Sequence, residues 1–179
     1  MAAEILLSSE AFIKAQTNIS DNVAGKYILP SLREAQEVGL KGIVGESMLA
    51  KLKSLVEKDE VNADGNAVYK ELLDKAQYYL AYMTIVEIVN KVTFKIGNAG
   101  LVRATDENMQ TASQSEMVSQ IEYYQGKADF YCHELQNFIL NNIAQLPEIN
   151  EGACRRIKAN LYSAATCGIF LGGARGKRR

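Results

Sequence analysis

The sequence predicts a mainly α protein: a helical bundle with one inserted β-hairpin and a basic, extended C-terminal arm. Three observations predict it. Apolar residues recur at helical spacing through two long stretches, residues 67–91 and 114–144. One place alone pairs β-prone runs across a Gly/Asn turn, around Gly97-Asn98-Ala99-Gly100. Charge divides along the chain: residues 1–151 carry 13 Lys+Arg against 21 Asp+Glu, whereas residues 152–179 carry 7 Lys+Arg and no acid. The expected organisation is a helical domain over 1–150, with the hairpin at about 92–103, and an arm over 151–179. At 179 residues and 47% hydrophobic, the chain is long enough to bury a core without disulfides or metal.

The elements follow in order. Ser8 or Ser9 can cap a short helix ending near Gln16, since a serine oxygen accepts from a free first-turn amide. Ser20-Asp21-Asn22 offers a second cap, followed by Val23, Tyr27, Ile28, Leu32 and Ala35 at helical spacing. Pro30 lies inside that pattern and predicts a kink or break near Leu29. Gly39, Gly42 and Gly45 then predict a turn region. Ser47 is expected to cap a third helix to about Lys58, with Met48, Leu49, Leu52, Leu55 and Val56 on one stripe.

Asp59 to Asn66, with Asp64-Gly65-Asn66, reads as a surface loop. The helix from Ala67 to Lys91 is apolar on nearly all sides between Tyr78 and Val89, so it is surrounded by other helices or by a neighbouring subunit. After the hairpin, Thr105 to Ser113 returns the chain to a long helix from about Gln114 to Ala144. Met117, Val118, Ile121, Tyr124, Ala128, Tyr131, Leu135, Phe138 and Ile139 keep its register, and Pro147 marks its end. Arg155 to Ser163 reads as a short helix or a loop, and Cys167 to Leu171 as a short extended apolar piece.

Enzyme signatures are mostly excluded. The single histidine, His133, adjoins Cys132, but neighbours on a helix point about 100° apart and make no nucleophile pair. Cys132, Cys154 and Cys167 have no metal-site spacing and read as small apolar residues in a reducing compartment. Gly172 to Lys177 falls one residue short of a phosphate loop and lacks the Ser or Thr after its lysine. Glu87, with Glu71 and Asp74 further back, reads as an interface or helix-end contact. Tyr78, Tyr79, Tyr82, Tyr123, Tyr124 and Tyr131 read as core or subunit interface, because they lack the interleaved basic residues of a base-stacking platform. No stretch reaches the ~18 apolar residues of a membrane span, and no secretory leader pattern opens the chain. No catalytic residue, metal or cofactor is expected.

Residue patterns at this point resemble a known group. The run Val92-Thr93-Phe94-Lys95-Ile96-Gly97-Asn98-Ala99-Gly100-Leu101-Val102-Arg103 precedes a polar stretch, then Tyr123-Tyr124 and Ala128-Asp129-Phe130-Tyr131. Asn18-Ile19 and the turn within Leu40 to Leu52 fit as well. This is similar to head–tail connector (adaptor or ring) proteins of tailed bacteriophages, in the version found in crAss-like gut phages and related prophages. The resemblance extends from about Phe12 to Tyr131, with the C-terminal segment alike in character only.

The resemblance implies a non-enzymatic virion component of the neck. Such a protein forms a ring of twelve copies beneath the portal, joins capsid to tail, and lets double-stranded DNA pass through its lumen. The implied partners are the portal protein, a tail or second ring protein, and the chain itself, with no membrane. Its implied place is the virion neck, with host cytoplasm as the site of assembly. The implied portal-binding arm comprises Ile169, Phe170 and Leu171 ahead of Arg175, Lys177, Arg178 and Arg179. The implied inter-subunit hairpin comprises Val92, Phe94, Ile96, Leu101, Val102 and Arg103, whose edges can pair with a neighbour. The acidic body suggests a lumen that repels DNA. Another neck or tail-completion ring, or a small DNA-binding protein using its basic tail, are the alternatives.

Overall fold

The computed structural model describes residues 4–20, 23–97, 100–103 and 113–150. The described chain is mainly helical. α1 (Glu10–Gln16) leads to α2 (Gly25–Glu34), a π-helical segment (Ala35–Leu40), α3 (Lys41–Val44) and α4 (Glu46–Glu57). Then come α5 (Ala67–Thr93), short strands β1 (Phe94–Gly97) and β2 (Gly100–Arg103), α6 (Gln114–Asn141), a 3₁₀ turn (Ile143–Gln145) and α7 (Pro147–Asn150). The strands pair antiparallel, Phe94 opposite Arg103 and Ile96 opposite Leu101. Residues 151–179, and with them all seven residues of the expected arm, lie outside the described residues.

Local chemistry accounts for most boundaries. Ser9 caps α1, its side chain accepting from the Phe12 amide. α4 ends in a Schellman motif: the Glu60 amide bonds Leu55 O at 2.9 Å, and Asp59 takes the left-handed position at φ 55°. Ser113 and Glu116 close a reciprocal capping box at the start of α6.

Several expectations are corrected. α2 begins at Gly25 behind Ala24, with no side-chain cap from Ser20, and Asp21 and Asn22 fall outside the described residues. Pro30 does not break α2, which runs through it from Gly25 to Glu34 with the proline exposed. Gly39 and Gly42 are helical. Gly45 alone breaks the chain, at φ 87°, and serves as the backbone N-cap of α4 where Ser47 was expected. α6 stops at Asn141, before Ala144: Asn142 leaves the helical conformation at φ −113°, and its side-chain amide donates to Phe138 O. Pro147 opens α7, at the first helical position where its missing N–H costs nothing. Val92 belongs to the last turn of α5 and not to a strand, since the helical hydrogen bonding of α5 persists through Thr93.

α5 is the centre of the fold. Leu72, Leu73, Ala76, Tyr79, Leu80, Ala81, Ile85 and Ile88 are all buried along it, among Ile28 and Leu32 of α2, Met48 and Leu52 of α4, and Leu135 and Ile139 of α6. The apolar girdle of Tyr78 to Val89 is therefore covered mainly by its own chain. Of the two coverings expected for this helix, other helices or a neighbouring subunit, the first accounts for most of it.

The π segment sets the other side of the core. Its widened turn, with the Lys41 amide reaching Gln36 O five residues back, faces Ala35, Gln36 and Leu40 inward together. Gln36 is fully buried. Its Oε1 accepts from the Leu7 amide at 2.8 Å and its Nε2 donates to Ile5 O at 3.1 Å. Gln77 of α5 donates to Leu7 O at 2.8 Å, so two glutamines pin the N-terminal segment to the core.

Candidate interaction surface

α5 and α6 run antiparallel along each other. Lys75 lies over the Phe138 ring, Tyr78 and Tyr82 both stack on Tyr131, and Tyr69 reaches Glu148 beyond the end of α6. The two stacks have centroid separations of 5.3 Å and interplanar angles of 15° and 8°. Phe12 of α1 meets Tyr78 edge-on at 5.5 Å. Offset stacks and edge contacts of this kind suit the ring quadrupole.

Burial along α6 is uneven. Ala128, Leu135 and Ile139 are fully buried, but no residue from Ser115 to Lys127 is. Full burial begins only at Ala128, although Tyr124 already packs against the core. The first half of α6 lies at the end of the α5–α6 pair where β1 and β2 join on. Val118 is 46% exposed, Tyr123 56% and Phe130 58%. Exposed large apolar side chains gathered on one helix are what an interaction surface presents.

Within this surface, Tyr123, Gly126, Lys127, Phe130 and Tyr131 line a notch of about 330 Å³. Helical spacing produces it. Tyr123, Gly126 and Phe130 stand three and four residues apart on one side of α6, and the glycine leaves a gap between two rings. A Cβ added at Gly126 would meet nothing within 4 Å. Lys127 lies 5.7 Å from the Tyr123 centroid, and Phe130 meets Tyr131 edge-on. The exposed acids Glu122 and Asp129 flank the glycine.

Titration in this region is governed by burial. Tyr79 is pushed up to about 12, first by burial and then by the nearby Cys132, Asp129 and Glu87. Burial also raises Tyr82, Tyr124 and Cys132, the last with help from Asp129, so the thiol stays protonated at neutral pH. Tyr69 reaches about 12 through burial and its hydrogen bond to Glu148. His133 is exposed, its Nδ1 2.7 Å from Asp129 O of the preceding turn. Glu87 is half-buried, while Glu71 and Asp74 are exposed. Among the described residues, no three His, Cys, Asp or Glu side chains are grouped to hold a metal ion.

Of the residues expected to contact other subunits, Val92 sits in α5, and Phe94, Ile96, Leu101, Val102 and Arg103 occupy the paired strands. The sequence reading placed Tyr123 at the core or a subunit interface, quoted Phe130 only within the run that carries the resemblance, and did not single out Gly126 or Lys127. A glycine within a long helix was the available signal, because it costs about 1 kcal/mol relative to alanine.

Comparison with known families bears on this surface. A family model matches residues 40–158, more than half of the chain and including the whole notch. The chain belongs to the DUF6712 family. That family is described as one of unknown function. No curated protein and no solved structure matches the chain. Among the described residues, no helix of this DUF6712 protein is long and apolar enough to cross a membrane.

Proposed function

We propose that this DUF6712 protein is a structural, non-enzymatic component of a bacteriophage neck. In this reading it forms a ring that joins the portal vertex to the tail and lets DNA pass through the lumen. The observation that carries the reading is the first half of α6, where among the described residues nothing is fully buried, with the β1–β2 pair at the same end of the bundle. A subunit of a ring needs apolar surface that its own core leaves uncovered, and this end of the molecule supplies it. The β1–β2 hairpin adds edge strands that can pair with a neighbour. The basic C-terminal segment, with Ile169-Phe170-Leu171 ahead of Arg175, Lys177, Arg178 and Arg179, is suited to grip an acidic groove on the portal through charge-assisted bonds.

Co-sedimentation with the portal protein of the same genome tests this, using the full chain and a 1–171 truncation. Stoichiometric binding by the full chain and loss on truncation are expected. Failure of both to bind a properly assembled portal ring overturns the portal role. The basic C-terminal segment, with seven cations and no acid over residues 152–179, favours one second reading, a DNA-contacting tail. Salt-dependent binding to random duplex, present in the full chain and lost without residues 172–179, is its signature.

A further inference from the structure

Ahead of α2 the chain lies on the body as a separate piece. Residues 4–9 are neither helix nor strand, and α1 follows them. Side chains of the body hold the backbone of this piece, in place of a helix or strand partner. Gln36 Oε1 accepts from the Leu7 amide at 2.8 Å, Gln36 Nε2 donates to Ile5 O at 3.1 Å, and Gln77 Nε2 donates to Leu7 O at 2.8 Å. Leu7 and Ile13 are 2% and 0% exposed and anchor its two halves in the core. Phe12 rests edge-on against Tyr78, Glu4 pairs with Arg33, and the Glu10 carboxylate occupies room that Gly25 leaves by having no side chain. Main-chain hydrogen bonds, with apolar seats for particular side chains, are how a groove binds a peptide.

Two features make this peptide separable. The rest of the core is built without it: α2, the π segment and α6 pack on α5, and α7 packs on α4. The segment is also imperfectly seated. Ser8 is 7% exposed, and its hydroxyl has no hydrogen-bond partner among the described residues. The same hydroxyl is fully hydrogen-bonded in water, so its burial opposes the docked state. The segment is thus anchored at Leu7 and Ile13 and loosened between them, as a locally opening unit is.

We propose that residues 4–16 are a detachable strap, which leaves its groove as one unit while the rest of the chain stays folded, and that the vacated groove takes the same segment of a second copy. A second copy is the occupant because its segment brings the same Leu7, Ile13 and backbone groups to the same two glutamines. Exchange of an identical element is a low-cost way to link subunits, and it needs neither portal nor tail.

Hydrogen exchange on the full chain reads the opening. The protected amides from Leu7 to Thr17 are expected to exchange with one opening constant, larger than that of α5. Ser8→Ala removes the orphaned hydroxyl with little change of shape and should lower that constant about tenfold. Seating in trans is read on a full chain that carries a protease-cleavage sequence in place of residues 19–22 and is cut after folding. The cut chain should take up a fluorescent synthetic peptide of residues 4–17 in exchange for its own segment. The same peptide with Leu7→Asp should not enter. The dissociation constant of the peptide, divided by the opening constant, should give an effective concentration of about 1 mM, as expected for a short tether. Strap amides that exchange only together with α5, a Ser8→Ala chain that opens as readily as the wild type, a cut chain that takes up no peptide, or equal uptake of the Leu7→Asp peptide overturns the proposal.

Discussion

Replacing Gln36 by leucine removes a buried amide from the π segment while keeping its size. The Leu7 amide loses its 2.8 Å acceptor and has no route to water, since Leu7 is 2% exposed. An orphaned buried donor costs about 1–3 kcal/mol. The Ile5 carbonyl loses its 3.1 Å donor too, but it is only partly buried and rehydrates at lower cost. Leucine recovers part of the difference by burying an apolar side chain in the same volume. The net expectation is a loss of about 2 kcal/mol, near the middle of that range. For a chain of this size that lowers Tm by about 4–8 °C. Urea titration followed by circular dichroism should show a lower midpoint and an unchanged slope. Hydrogen exchange should show faster opening at Leu7. Gln77→Leu, which removes the 2.8 Å donor to Leu7 O, should be non-additive with it by about 0.5 kcal/mol or more, since both act on one segment. A loss under about 0.5 kcal/mol with the Leu7 amide still protected would refute the reasoning.

Gly39→Ala places a Cβ against the Tyr79 hydroxyl, so a loss of about 1–3 kcal/mol is expected, with partial recovery in Gly39→Ala/Tyr79→Phe; urea denaturation of the four-member cycle checks it. Asp59→Gly relieves the left-handed residue of the α4 terminus and should stabilise by about 0.5 kcal/mol, read as a higher urea midpoint. Tyr131→Leu removes two stacked contacts and should cost about 1–2 kcal/mol, measured the same way. Tyr69 and Tyr79 have folded values of about 12, above the ordinary 10 that they regain on unfolding. Their stabilisation is therefore complete below pH 10 and lost as pH rises from 10 through 12. Urea midpoints measured across that window should fall, and less steeply in Tyr79→Phe. Equal slopes in the two proteins would sink the assignment.

How far the fold was legible depended on whether the signal was local. The Ser9 cap, the polar loop through Gly65 and the two long helices all follow from neighbouring residues, and the structure has them where the sequence indicates. Breakers were less legible. Gly39, Gly42 and Gly45 look alike in sequence, yet only Gly45 has a positive φ, while Gly39 is helical and lies against Tyr79. Pro30 looks like a breaker in sequence, yet α2 runs through it. Residues from three separate parts of the chain, Leu7, Gln36 and Gln77, meet in a bond network that no spacing rule links.

The candidate surface divides the same way. Sequence alone determined a helical protein with an acidic body, a basic C-terminal segment and tyrosines gathered on two helices. Periodicity fixes how residues are placed around a helix relative to one another. It does not state in which direction a helix meets its neighbours, or along how much of its length. Tertiary packing decided that α5 would be covered mainly by its own chain, and that full burial along α6 would begin only at Ala128. It also decided that the π turn would leave Val38 outside. Whether an apolar residue becomes core or contact surface depends on which other segments reach it, and that distribution of contacts exists only once the whole chain has packed.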